Sequence, residues 1–432
     1  MITESFDPST GQSGLGQFEV TFRAGTDIEV LGAHVDPSGT DTAGGPTQNM
    51  AHDTLVVTSG PIDNPTRTNV LAAAMFSGEM LEFDLDDSGA APWKVSGPSI
   101  LNWVGDADGK SPSIGAVADY TVASPIPAGT GLADYLAYVV AGDWLGGLTA
   151  DATAASVDTS DLACAARTWD SMRTIIAQLC AVTTPSTEMW CSPDGVLYFA
   201  GLGDTTDAVY QWNPTILFAS GVGETVENGL RSVPCRIRAK FDYGPEANQW
   251  HYTNSAGTGT HSSGGGNRFP NLWTGTGSGV RAKFMGASDE LEDQYGHGGS
   301  SPLDTTYCRR DDITVTVSDR DLRRDLKPGD YVWVNSERLG LFDSTNPMLF
   351  DGRTLAPVRR RVSEMRWPVT PNHGVYVIRN NSAVGGANAV TDVTGFVVVD
   401  SGATSVRIQS GPPVSLRSAI LGSQWRPRWD KA

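Results

Sequence analysis

Ile313-Thr314-Val315-Thr316-Val317, then Lys327-Pro328-Gly329-Asp330, then Tyr331-Val332-Trp333-Val334 is the stretch that decides the fold. The first and last runs alternate or concentrate β-branched and aromatic residues, the signature of half-buried or fully buried strands. Between them Pro presets φ and Gly can take φ > 0, so a tight turn precedes the second strand. Leu322 and Leu326 are spaced for one short helical turn on the way. Upstream, Cys235 to Phe241 continues the strand pattern.

Between these strands the chain is rich in glycine: residues 254 to 300 hold 12 of them, within an insertion spanning 244–308. A flexible loop is the expectation for it. Its aromatics Phe269, Trp273 and Phe284 argue for order against a neighbour, because flexible segments rarely carry such residues.

Towards the N-terminus, Gln17 to Ala33, Leu55 to Thr58, Val70 to Phe76 and Met80 to Leu85 read as strands broken by Gly, Pro and Asn. Turns such as Asp36-Pro37-Ser38-Gly39 recur too often for long helices. Helical periodicity enters at Leu132, Tyr135, Leu136, Val139 and Val140, and again at Trp169, Met172, Ile176, Leu179 and Cys180 behind the N-cap Thr168. Met189 to Cys191 and Val196 to Phe199 then flank Ser192-Pro193-Asp194-Gly195 as a hairpin. Short strands follow at His373 to Arg379, Phe396 to Asp400 and Val406 to Gln409.

The expected fold is therefore mainly β with α+β parts: two β-barrel or sandwich modules separated by a mixed α+β domain. The expected divisions are a first barrel at 1–115, an α+β domain at 116–225, a second barrel at 226–370, and C-terminal β strands with an interface tail at 371–432.

The 432 residues are roughly 48% apolar once glycine is counted and tyrosine left out, within the ~45–50% of globular proteins. No apolar run approaches the ~20 residues that cross a bilayer. The acidic opening Met1 to Pro8 is not a secretory signal, so a chain made and kept in a cytoplasm, without a membrane anchor, is expected. Five cysteines without CxxC pairs read as reduced, mostly buried thiols.

The net charge is −18, which disfavours polynucleotide as a tightly held ligand. It is unevenly spread. Residues 1–225 carry 6 basic and 28 acidic residues, a balance of −22, and the remainder carries 25 and 21, a balance of +4. Such polarity sets how copies or partners meet.

Signatures of chemistry fail one after another. The six histidines lack the i, i+4 spacing of a zinc helix. Asp106-Ala107-Asp108-Gly109 is half a calcium loop, with Val117 where the bidentate Glu belongs. No GxSxG elbow occurs, and Gly275-Thr276-Gly277-Ser278-Gly279 lacks the Rossmann spacing and the P-loop Lys. Asp84, Asp86 and Asp87, or Asp311 and Asp312, supply paired carboxylates of the kind glycosidases use, but clustered acids are usually a solvated surface. No cofactor, metal or catalytic residue is expected. The basic cluster Arg309, Arg310, Arg320, Arg323, Arg324, Arg359, Arg360 and Arg361 is read either as meeting the acidic half of a neighbouring subunit or as paired within its own chain. Trp425, Arg426, Arg428 and Trp429 are read as interface anchors.

Three stretches carry a resemblance. They are Gly97-Pro98-Ser99-Ile100-Leu101-Asn102-Trp103-Val104-Gly105-Asp106-Ala107-Asp108-Gly109-Lys110; Arg167 to Arg173, including Trp169, through Cys180 to Trp190 and Pro193 to Leu197; and Leu326 to Val334, with Pro328, Gly329 and Asp330, followed by Leu341-Phe342-Asp343 and Arg361 through Trp367-Pro368 to Val377. In this order they resemble the minor tail proteins, in particular the tail-tip hub, of long-tailed phages infecting actinobacteria. The match spans about half the chain. That family is in turn similar to the hub of contractile baseplates, in which two β-barrels per subunit alternate around a trimeric ring. The resemblance implies a virion protein at the distal tail tip, assembled in the host cytoplasm. Its implied partners are further copies of itself, the distal tail or tail-tube protein, the tape measure protein and other minor tail proteins, with DNA only passing through. A receptor- or carbohydrate-binding tip protein and a cell-wall hydrolase are the competing functions.

Overall fold

The strand Val358–Trp367 belongs to two hydrophobic cores at once. Val358, Val362 and Met365 are buried in one, and Trp367, continued by Val369, in the other. Val362 and Met365 are three residues apart, which on a regular strand puts them on opposite faces. A register shift between Val362 and Glu364 inserts the extra residue that returns both to the same face. The computed structural model describes residues 1–7, 12–23, 53–84, 92–103, 149–151, 187–201, 215–243, 249–254, 257–262, 282–287, 310–318, 322, 326–345, 347–378 and 393–408.

The core around Val362 is enclosed by strands in the hydrogen-bonded order Thr215–Ala219, Tyr331–Asn335, Val358–Trp367, Thr404–Ile408, Arg310–Val317 and Cys235–Asp242. Ile216 and Phe218 of the first strand and Ile237 and Ala239 of the last pack into the same cluster, so the sheet has curled into a barrel. Leu322 and Leu326 are both buried there, and Leu326 N donates to Leu322 O at 3.0 Å, the expected helical turn. The outer face of this barrel's first strands is covered too. Leu217 and Ala219 pack with Phe350 and Leu355 into a satellite core under the hairpins 225–232 and 348–355.

The core around Trp367 lies between a four-stranded sheet and the strands Ile2–Asp7, Gln12–Phe22 and Trp93–Pro98. The four strands are Val393–Phe396, Gly374–Ile378, Thr54–Thr58 and Ala74–Glu79, in that order. Single bridges Phe22–Val398 and Gly78–Ser99 link the two layers at their edges. The layers meet through aromatics. Phe22 stacks on Trp93 at 4.3 Å between centroids, and Phe76 meets both Phe18 and Trp367 edge-on. Gly97 admits this close approach, because a Cβ there would stand 1.8 Å from Glu79 O.

The mainly β fold matches the expectation from alternating sequence. Three local readings change, and the strand expected over Phe396 to Asp400 is the simplest: it lies at Val393–Phe396, with only the bridge at Val398 beyond it. Val70 to Phe76 is not a continuous strand: Arg67–Ala72 is a short helix, capped by Thr66, whose hydroxyl accepts from Asn69 N at 3.3 Å, and Ala74–Glu79 is the strand. Val70, on the helix, is buried against Tyr376 and Ile378, so this apolar position belongs to a helix face and not to a strand. The glycine-rich insertion, expected as a loop, contains its own three-stranded sheet of Gln249–Asn254, Gly257–Ser262 and Ala282–Ala287. Phe284 lies on the last of these strands.

Thr187–Cys191 and Val196–Gly201 form the expected hairpin, closed by Gly195 at φ 91°. The helices read over 132–140 and 168–180 lie outside the described residues. Strands from both ends of the chain pair with each other: Ile2–Asp7 with Val358–Trp367, and Thr54–Thr58 with Gly374–Ile378.

Candidate interface site

The Lys327–Asp330 turn is a type II turn, with Pro328 at its second position and Gly329 at φ 91° in the third. Asp330 Oδ2 accepts from Lys327 N at 2.7 Å and closes the turn from the side-chain end. The turn is clamped to the shared strand. Gly329 N donates to Val362 O, and Val362 N to Asp330 O, each at 2.8 Å. Arg361 Nε adds a third bond, to Gly329 O, also at 2.8 Å.

Residues 359–361 come next on that strand, and alternation sends Arg359 and Arg361 to the face opposite Val362. There the register sets Arg361 beside Tyr331 and Arg359 beside Trp333. The guanidinium of Arg361 lies 3.8 Å from the Phe6 ring centroid, and that of Arg359 lies 5.4 Å from Trp333 and 5.7 Å from Tyr331. Burial pushes the Arg359 pKa down to about 10, opposed by the charge of Tyr331. Arg359 and Arg360 are each only 8% exposed. These contacts are all inside the chain, and they make the arginine run part of the joint between turn, first strand and shared strand.

At the far end of the same strand, Trp367 Nε1 donates to Glu4 Oε2 at 3.0 Å, both residues being buried. Pro368 follows, and the His373 ring lies 5.8 Å from that of Trp367. Thr370 N donates to His373 Nδ1 at 2.9 Å and so fixes the turn into the strand Gly374–Ile378.

A second charged cluster lies on the outer face of the Val362 barrel. Arg407 Nε and its terminal nitrogen donate to the two carboxylate oxygens of Asp312 at 2.9 and 3.1 Å. The hydrogen bonds from Arg407 hold the Asp312 carboxyl below its ordinary range, with the charges of Lys240 and Arg238 adding to the effect. Asp312, read from sequence as one half of a carboxylate pair, is thus an ion-pair partner. Among the described residues no group of three His, Cys, Asp or Glu is placed to hold a metal.

The remaining sequence candidates divide simply. Trp103 ends the 3-10 turn Ile100–Trp103, Trp190 is paired with Tyr198 in the hairpin, and Arg310 opens its strand. Arg309, Arg320, Arg323, Arg324, Trp425, Arg426, Arg428, Trp429, Asp106, Trp169 and Arg173 lie outside the described residues. Glu4, Phe6 and Arg407 carry contacts that sequence reasoning missed. Glu4 and Phe6 occupy a strand whose alternation is short, and nothing local marks partners more than 300 residues away.

No family model matches the chain, and no curated protein sequence does. Among solved structures it is similar to the 43 kDa tail protein of prophage MuSo2 from Shewanella oneidensis, at 9% identity over 98% of this chain and 94% of that one, with a TM-score of 0.43. It is also similar to the prophage tail protein gp18 from Listeria monocytogenes EGD-e, at 11% identity over 98% and 91%, with a TM-score of 0.38. A tail protein from Neisseria meningitidis MC58 aligns at 9% identity over 80% and 82%, with a TM-score of 0.39.

Proposed function

We propose that the chain is a structural virion protein of a long-tailed phage. Three copies close into a ring at the distal tail tip, join the tail tube to the tip, and leave an axial passage for the tape measure protein and the genome. The observation that carries this reading is the strand Val358–Trp367, which runs through two β cores, one inside a curled sheet and one between two layers, and joins them in one body. A subunit with two barrels offers two similar contacts to a sixfold partner, so three copies meet a sixfold tube without an adaptor. The resemblance of Gly97–Lys110, Arg167–Leu197 and Leu326–Val377 to tail-tip hub proteins supports the same plan.

The role is mechanical: no bond is made or broken. Part of the −22 balance of residues 1–225 lines the passage in this reading, where repulsion of DNA phosphates prevents adhesion during ejection. Electron microscopy of the purified full chain tests the proposal. Threefold rings with a central hole are expected; particles that stay single at every concentration overturn it. Adsorption of the chain to host cell wall, or clearing of peptidoglycan in a zymogram, would replace it with receptor binding or wall cleavage.

A further inference from the structure

Eight strands run in one continuous antiparallel order across both cores: Cys235–Asp242, Arg310–Val317, Thr404–Ile408, Val358–Trp367, Ile2–Asp7, Gln12–Phe22, Trp93–Pro98 and Glu82–Asp84. At ~4.8 Å per strand the first and last are ~34 Å apart along the sheet. The register shows that one outward face continues from end to end: Arg236 opposite Thr316, Thr316 opposite Ser405, Ser405 opposite Arg366, Arg366 opposite Thr3, Thr3 opposite Gln17.

That face is electrically graded. At one end the strand Cys235–Asp242 alternates half-buried and exposed residues, and its exposed positions are Arg236, Arg238 and Lys240, followed by Asp242. In the middle the charges answer each other, Asp312 with Arg407 and Glu364 with Arg366. At the other end Glu19, Glu82 and Asp84 are exposed on neighbouring strands. Lys94 reaches Glu19 at 3.3 Å, which leaves Glu82 and Asp84 as the carboxylate excess.

We propose that this face is how one copy meets the next: the ladder Arg236, Arg238 and Lys240 seats against the Glu82 and Asp84 end of a second copy of the chain. The occupant follows from charge. A basic end and an acidic end on one face complement each other between copies, and in the ring reading they meet head to tail; the same asymmetry, −22 against +4, runs through the whole sequence. Such a contact is heterologous, so it closes into a ring when the rotation between copies allows. The inference rests on the ring reading above and names the surface that would build it.

The test uses the full chain and sedimentation across concentration and salt. Wild type is expected to assemble at low salt and dissociate near 1 M, where the screening length is about 3 Å. Arg236→Glu, Arg238→Glu and Lys240→Glu together should weaken association about tenfold or more, as should Glu19→Lys, Glu82→Lys and Asp84→Lys together. One chain carrying all six reversals should regain assembly, and circular dichroism checks that each variant is folded. If the two triple variants assemble as wild type does, the surface is wrong and the ring reading stands. Folded six-fold reversals that fail to reassemble also overturn the charge pairing. A wild-type chain that stays monomeric removes the ring and this surface together.

Discussion

Trp367 Nε1 and Glu4 Oε2 are 3.0 Å apart, a buried hydrogen bond between residues 363 positions distant in the chain. It fastens the first strand to the end of the shared strand, at the point where that strand passes from one core to the other. Glu4→Ala leaves the indole N–H buried without its acceptor, which costs about 1–3 kcal/mol. Glu4→Gln keeps an acceptor in place and should cost less. Urea unfolding followed by tryptophan fluorescence checks the order wild type, Gln, Ala; equal midpoints for all three would show the bond to be energetically silent.

The turn at Pro328 and Gly329 makes a sharper demand. Gly329 has φ 91°, and its N–H and C=O are both engaged, by Val362 and by Arg361. Gly329→Ala places a Cβ in the left-handed half of the map and should destabilise by about 1–2 kcal/mol. Pro328→Ala loosens the unfolded chain's restriction, which costs about 0.4–1 kcal/mol, and it also removes the packing of a buried ring. The same unfolding curves read both, and a Gly329→Ala that unfolds at the wild-type midpoint would contradict the turn geometry.

The parts of the fold that were legible in sequence are those fixed by local physics. Pro328-Gly329 announces its turn because only Gly tolerates the φ there, and Ser192 to Gly195 announces a hairpin for the same reason. Alternation marked Ile313 to Val317 and a continuous apolar run marked Tyr331 to Val334, because each strand has a core to face. The sharing of Val358–Trp367 by two cores was not legible. It depends on a bulge near Ser363 that no residue type demands, and on Trp367 finding Glu4 and Phe76 from the far end of the chain. The basic cluster was visible as a list of arginines, yet its division was not. Arg359 and Arg361 turn towards Trp333, Tyr331 and Phe6, whereas Arg236 and Arg238, outside that list, take the exposed positions. Cross-strand register decides this, and register is a long-range property.

The Asp312 and Arg407 pair gives a pH dependence of known sign. The Asp312 carboxyl is held below its ordinary value in the folded chain, chiefly by the Arg407 hydrogen bonds. Its contribution is therefore fully present above pH about 4 and is lost as the pH falls through the lowered folded value. Both side chains are nearly half exposed, so solvent screening limits the pair to about 0.2–1 kcal/mol. Asp312→Asn should flatten the acid limb of a stability profile measured between about pH 2 and 5, the range in which carboxylates titrate. An unchanged acid limb would mean the pair forms no better in the folded chain than in the unfolded one.

Two cysteines should resist alkylation for a physical reason that the thiol count alone does not supply. Cys235 is half-buried against the Val362 core, and burial pushes its pKa up to about 11, with a backbone hydrogen bond at Ala219 working against the rise. Cys191 is buried at the hairpin, and burial and then the Asp194 charge push its thiol up as well. Because the thiolate is the reactive form, Cys235 should react with iodoacetamide at about pH 8 roughly two orders of magnitude more slowly than a free thiol. A timed pulse of reagent followed by peptide mass spectrometry reads both sites in the same digest. Protection in the native chain and full modification in denaturant is the expected pair of results. Fast native labelling of Cys235 would mean that the strand Cys235–Asp242 opens readily, and a strand that opens readily could not hold Arg236, Arg238 and Lys240 in a fixed row.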